Sequence, residues 1–206
     1  MARLSREDLR LERRQAILKA AMKVFARRGY AATTIRTIAR EAHIAQGTIY
    51  LYFPRKRDIL LTLYRSIILE SFEEILARPA QGDSSAFLQS LIVDRIQRFR
   101  RNPQAVRLAF TELPFHQQLR EKFYRDIAVE QLERVQDFLK DRIAKGEFRP
   151  VRTEIVARAF QGVYPILSLA ETVFGDRAVG RLTPEEVADE LVRLFLHGAL
   201  NLSFSQ

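Results

Sequence analysis

Apolar residues recur with helical spacing along most of the chain, and glycine and proline fall between those stretches instead of within them. Residues 11–28 bring Ile17, Leu18, Ala21, Val24 and Phe25 onto one face. The stretch stops at Arg27-Arg28-Gly29, with cations in the last turn and glycine beyond it. Thr33 and Thr34 offer hydroxyls to cap a short helix running to about Ala42. A second short helix begins near Ala45 or Gln46 and ends by Phe53-Pro54. A longer amphipathic helix over 56–77 (Ile59, Leu60, Leu63, Ile67, Ile68, Phe72, Ile75) follows. Further helices are predicted at 84–101, 103–114, 117–145, 152–174 and 183–203. The pattern predicts an all-α fold of about nine helices. A three-helix, helix-turn-helix head over residues 1–54 sits on a larger helical body over 55–206, with the 56–77 helix connecting them.

The two short helices carry a divided surface. Ile35, Ile38 and Ala39 on the first, with Ile44, Ile49 and Phe53 on the second, can pack the pair onto Val24 and Phe25. Gln46, Gly47, Thr48, Tyr50, Leu51 and Tyr52 are left facing outward. That set suits base edges and phosphates: glutamine pairs with adenine, threonine reaches bases or a thymine methyl, and tyrosine hydroxyls bond phosphate oxygens. Gly47 leaves room for close backbone approach. Lys56 places a cation and free helix amides where a phosphate could sit.

Charge sharpens this picture. The chain has 34 Lys plus Arg against 25 Asp plus Glu, and residues 1–65 hold 15 basic and 5 acidic side chains, a surplus of 10. The remainder, with 19 basic and 20 acidic residues, is close to neutral. Such a basic segment is drawn to a polyanion through counterion release, which points to nucleic acid or an anionic membrane surface. A charged start and the lack of any bilayer-length apolar run point away from a membrane and toward a cytoplasmic protein on the nucleoid. With no cysteine, disulfide scaffolds, thiolate zinc sites and cysteine nucleophiles are excluded.

From Ile17 to Leu60 the letters become specific. They include Ile17-Leu18, Ala20-Ala21, Phe25-Ala26 and Gly29-Tyr30, then Thr33-Thr34-Ile35-Arg36, Ile38-Ala39 and Glu41-Ala42. Gly47-Thr48-Ile49-Tyr50, Tyr52-Phe53, Lys56 and Asp58-Ile59-Leu60 complete the set. This run closely resembles the TetR/AcrR family of one-component regulators. The resemblance implies a homodimer on a palindromic double-stranded DNA operator, usually repressing transcription. Carried over by position, it makes Thr34, Arg36, Gln46, Gly47, Thr48, Tyr50, Tyr52 and Lys56 the DNA contacts. Two positions depart from the family pattern. His43 stands where the turn commonly has glycine, and Ala45 where the recognition helix commonly has a serine or threonine cap. Each departure is expected to cost about 1 kcal/mol.

The body carries no comparable motif. Its last two helices are apolar over broad faces, and the resemblance implies that they pair with their copies. The expected interface residues are Val156, Phe160, Val163, Leu167, Leu191, Leu194, Phe195 and Gly198. Aromatic residues of the middle helices suit a small apolar effector, and Phe99, Arg107, Phe110, Phe123, Tyr124, Phe160 and Tyr164 are the candidates. The stretch 48–53 is similar to that of the fatty-acid-metabolism regulators in the family, which respond to acyl-CoA thioesters. Arg98, Arg100, Arg101 and Arg107 could hold the phosphates of such a ligand. No cofactor, metal site or catalytic group is expected. His43, His116 and His197 lie far apart, no phosphate-binding glycine loop occurs, and Glu112 with His116 reads as a capping or solvated pair. Two further readings stand beside a specific regulator: an architectural protein coating DNA without sequence choice, and a helical enzyme tethered to DNA by its head.

Overall fold

The computed structural model describes residues 5–70 and 84–199, and the side chains among these other than those of residues 70 and 197–199. Its first helix, α1 (Arg6–Arg28), begins five residues earlier than its apolar stripe suggests. Ser5 and Asp8 form a reciprocal capping box that supports an exposed, charged first turn. At its other end Gly29 takes φ 73°, a left-handed angle that turns the chain away. Helix α2 (Ile35–Glu41) is capped by Thr34 with Thr37, and α3 (Gln46–Tyr50) follows after a tight turn. The second short helix is thus briefer than its pattern implies, and Leu51 to Phe53 leave it as a turn.

Helix α4 (Lys56–Arg65) runs on into a π-helical turn, Ser66–Glu70. The rest of the expected connector, with Phe72 and Ile75, lies outside the described residues. The body contains α5 (Ser84–Arg101), α6 (Pro103–Glu112), a 3-10 corner (Leu113–Phe115) and α7 (Gln117–Phe123). A second π turn (Tyr124–Ala128), α8 (Val129–Ala144), α9 (Thr153–Thr172), α10 (Arg177–Gly180) and α11 (Pro184–Ala199) follow. The predicted 117–145 helix is therefore continuous but contains one wide turn. The four-residue α10, capped by Asp176, had no periodicity to reveal it. No strand occurs among the described residues.

Two apolar clusters organise these helices. The first holds the head together through Ile17, Val24, Phe25, Ile38, Ile49 and Leu60, and continues without a break into Leu108, Leu113 and Leu119 of the body. The second packs α5 against α8, α9 and α11 through Ile92, Val135, Ala157, Phe160 and Ala188. Phe99 borders both. Residue 54 therefore marks no break in packing: the head is seated on the body through a shared core.

Candidate DNA-facing helix and a cavity in the body

Helix α3 is anchored by few residues and exposes the rest. Ile49 is fully buried and Phe53 nearly so, and the guanidinium of Arg14 lies 5.3 Å over the Phe53 ring. Outward stand Gln46, Gly47, Tyr50 at 49% exposure and Leu51 at 77%; Thr48 and Tyr52 are half-buried, and Tyr52 packs against the head core. Gln46 donates to the Tyr50 hydroxyl at 3.5 Å. A Cβ at Gly47 would meet no protein atom, so the space above this backbone is open. Arg36 and Thr34 at the start of α2 are exposed, and Arg36, Arg40 and Gln46 border one shallow groove between the two helices. Glu41 accepts from Arg27, which holds its carboxyl below the ordinary glutamate range and ties α2 to α1.

The two departures in the turn have structural consequences. His43 is the one non-glycine residue with positive φ among the described residues, at 54°, and Ala45 begins α3 without a side-chain cap. The double substitution His43→Gly/Ala45→Ser is expected to raise stability by about 1–2 kcal/mol, from relief of the left-handed strain and a restored cap. Urea unfolding midpoints of the two proteins provide the check.

Lys56 departs from its expected role. Its ammonium donates to the carbonyls of Tyr30 at 2.6 Å, Ala31 at 3.0 Å and Thr33 at 2.8 Å, and lies 4.4 Å above the Tyr30 ring. Three protons meet three acceptors, so the side chain braces the α1–α2 loop and is not extended toward a phosphate. Partial burial draws its pKa below the ordinary lysine value. The same loop meets the body. Tyr30 packs edge-on against His116, Glu112 bonds His116 at 3.1 Å, and a Cβ at Gly29 would come within 2.9 Å of Glu112 Oε1. Arg107 donates to the Ala26 carbonyl at 2.7 Å, and Arg57 to Gln118 at 2.8 Å.

Behind this joint lies a cavity of about 320 Å³. Helix α4 and its π turn supply Tyr64, Ile67 and Ile68; α5 supplies Phe99; α6 and the corner supply Ala105, Val106, Ala109, Phe110 and Leu113. Phe123, Tyr124, Ala128 and Gln131 form another wall, and Gln161, Tyr164 and Pro165 of α9 close it. Of the sequence candidates, Phe99, Phe110, Phe123, Tyr124 and Tyr164 thus come together here, with Phe110 and Tyr124 partly exposed at the rim.

Two candidates are displaced. Arg107 is exposed and holds the head through Ala26, and Phe160 lies in the second cluster against Tyr164 and Phe195. The arginines proposed for ligand phosphates are engaged elsewhere. Arg98 bonds Asp94; Arg100 ties α5 to Glu171 and to the Val179 and Leu182 carbonyls; and Arg101 bonds Gln97. Tyr64, Gln131 and Gln161 were missed. The two glutamines carried a signal in hindsight, since each interrupts an apolar stripe, Gln131 beside Ala128 and Val135, Gln161 beside Ala157 and Tyr164.

The last two helices show which residues can meet a second copy. Phe160 cannot, because it is buried within its own protomer. Val156, Val163, Leu167, Leu191 and Phe195 are half-buried, Leu194 is 67% exposed, and the surroundings of Gly198 lie outside the described residues. The most open stripe on α9 is Ile155, Ala159, Gly162 and Ile166, at i, i+4, i+7 and i+11. No group of three or more histidine, cysteine or acidic side chains placed to hold a metal occurs among the described residues. No helix among them is long and apolar enough to cross a membrane.

Known proteins share both halves of this arrangement. Residues 17–63 match the family model of bacterial regulatory proteins of the tetR family, and residues 93–198 match that of the AefR-like transcriptional repressor C-terminal domain. Over 71 residues the chain is 44% identical to the HTH-type transcriptional regulator HbdR of Aromatoleum sp., covering 34% of this chain and 31% of that protein. Over 67 residues it is 40% identical to the fatty acid metabolism regulator protein of Bacillus subtilis, covering 31% and 34%. The chain thus spans about a third of the length of these curated relatives. The crystal structure of the transcriptional regulator FadR from Bacillus subtilis in complex with stearoyl-CoA superposes with a TM-score of 0.75 at 22% identity, covering 89% of this chain and 98% of that one, which shows a common fold. With one model matched on the head and a second over more than half of the chain, the protein belongs to the TetR family of bacterial regulatory proteins.

Proposed function

We propose that the protein is a ligand-responsive, sequence-specific transcriptional repressor that binds a palindromic DNA operator as a homodimer. A small apolar effector, such as the acyl group of an acyl-CoA thioester, releases it. The observation that carries this reading is the division of α3, in which Ile49 is fully buried while Gln46, Gly47, Tyr50 and Leu51 stand free on a basic head. In a dimer joined through α9 and α11, two such helices about 34–36 Å apart would enter successive major grooves. Arg36, Thr34, Gln46, Thr48, Tyr50 and Tyr52 are the proposed contacts. Leu51 adds an apolar group suited to a thymine methyl. The helix amides at the start of α4, in place of the Lys56 side chain, would meet phosphate. The exposed stripe from Ile155 to Ile166 on α9 and the exposed Leu194 on α11 support the dimer. The head over 1–54, the body over 55–206 and a cytoplasmic place on the nucleoid belong to the same proposal.

Coupling would run through α6. One side of it, at Ala105, Ala109 and Phe110, lines the cavity, while Arg107 and Glu112 reach the end of α1. An effector that displaces α6 displaces the head. To weaken operator binding 100-fold it need favour the released state by only about 2.7 kcal/mol over the dimer.

Selection of bound fragments from genomic DNA, followed by competition with unrelated DNA, tests the reading. A specific regulator should prefer its operator by at least about 1,000-fold at physiological salt, whereas equal affinity would mean an architectural protein. Tyr50→Ala is expected to weaken operator binding by at least about 1 kcal/mol while non-specific binding changes little. An unaltered operator affinity in that variant would remove α3 from the groove.

A further inference from the structure

The N-terminal turns of α1 carry a row of arginines on the side of the helix that packs into the head. Ile17, Ala21 and Val24 define that side by their burial. Steps of four, seven and eleven residues back from Ile17 arrive at Arg13, Arg10 and Arg6, and Arg14 lies seven before Ala21. The apolar stripe thus continues toward the N-terminus as a cationic one. Residues 5–13 are exposed throughout, so these turns project beyond the packed part of the head. Asp8 and Glu12 fall on the opposite side, where Asp8 caps the helix with Ser5, and Glu7 stands at the border of the row.

Helix stability does not account for this row. A cation in the first turn opposes the helix dipole, and Arg6 with Arg10 and Arg10 with Arg14 are like charges one turn apart, so the row weakens the helix that bears it. Arg6, Arg10 and Arg13 make no hydrogen bond or ion pair among the described residues, whereas Arg65, Arg100 and Arg142 of the body bind Glu130, Glu171 and Glu147. Arg14, the innermost member, fixes where the row lies. Its guanidinium sits 5.3 Å over the ring of Phe53, between the end of α3 and the start of α4. At about 1.5 Å of rise per residue, Arg10 and Arg6 stand about 6 and 12 Å farther out along α1. The row therefore leaves the head beside the two elements proposed to meet DNA.

We propose that Arg6, Arg10 and Arg13 form a second DNA contact, which holds phosphates of the duplex outside the bases read by α3. Guanidinium groups on an exposed helix match phosphate oxygens in charge and in their fork of donors. Contacts of this kind release counterions and position the protein without selecting sequence, so the site covered by each protomer includes base pairs whose identity is free. This rests on reading α3 as the groove helix. Leu9 and Leu11 flank the row at 52% and 54% exposure, and a basic helix bordered by leucines also suits an anionic membrane surface. The seat of Arg14 on Phe53, at the edge of α3, favours DNA.

The test uses the full-length protein and the operator fragment recovered from genomic DNA. A dimer carrying Arg6→Gln/Arg10→Gln lacks four cations, so its plot of log affinity against log salt should flatten by about 2–4, at about 0.9 per lost phosphate contact. Affinity near physiological salt should fall about tenfold or more, while the preference for operator over unrelated DNA stays within about threefold. Hydroxyl-radical footprints should lose protection only outside the stretch altered by Tyr50→Ala. Arg6→Lys/Arg10→Lys should restore the slope, and both variants should melt as the parent protein does, because neither arginine holds a partner. An unchanged slope and footprint would overturn the proposal, as would a collapse of operator preference, which would put the row among the base contacts. Loss of binding to phosphatidylglycerol vesicles with DNA binding intact would assign the row to a membrane and overturn it too. If Tyr50→Ala has no effect while the arginine variant still flattens the slope, the row stands as a general DNA contact and the groove-helix reading fails instead. Absence of binding to any duplex would remove both.

Discussion

Replacing Lys56 with methionine is expected to destabilise the protein by about 2–4 kcal/mol and to leave the salt dependence of DNA binding unchanged. The ammonium donates three hydrogen bonds to carbonyls of the α1–α2 loop, two of them partly buried. A hydrogen bond to a charged group contributes about 1.5–3 kcal/mol, and three sharing one partly solvated cation contribute less than three times that. Against a total stability of about 5–15 kcal/mol the loss is large. Tyr30 and its packing on His116 would loosen with it, so operator affinity should fall through disorder of the head. Urea unfolding with DNA titrations at several salt concentrations separates this from direct phosphate contact, which would flatten the logarithmic salt slope by about 0.9. Parental stability with a flattened slope would return Lys56 to the phosphate backbone.

The second large effect is expected in the body. Ala109 is half-buried on α6 and borders the cavity. Tryptophan there adds about nine non-hydrogen atoms to the wall of the 320 Å³ cavity and would obstruct much of it. Effector binding should weaken by at least about 100-fold, or about 2.7 kcal/mol. Overpacking a filled core costs about 1–3 kcal/mol, but here the ring has a void to enter, so the fold should persist. Whatever operator affinity the Ala109→Trp protein settles at, the effector should no longer change it, which a gel-shift series with and without thioester reads directly. An undiminished response would sink the assignment of this cavity.

Much of the head was legible in the letters because its determinants are local. Thr34 caps α2, Gly29 ends α1, and Ile17, Ile38 and Ile49 keep one register across three short elements, so spacing alone places Gln46 and Tyr50 outward. The body was legible only as helices. Phe160 illustrates the gap: it was a candidate for both effector and partner, yet Tyr164 and Phe195 enclose it. The arginines illustrate it again. A sequence displays the charge of Arg100 but not that Glu171 and two carbonyls 79 and 82 residues away engage it.

Hydrophobic periodicity, caps and breakers act within a few residues of one another, so by themselves they determine which face of each helix is apolar, where each helix stops, and that the basic charge gathers at one end. Which apolar faces meet, and where they leave a void with Tyr64 and Tyr164 on its wall, depends on contacts between residues about a hundred positions apart. Only the packed tertiary structure decides that, because every helix can satisfy its own backbone alone, whereas a cavity exists only between several helices at once.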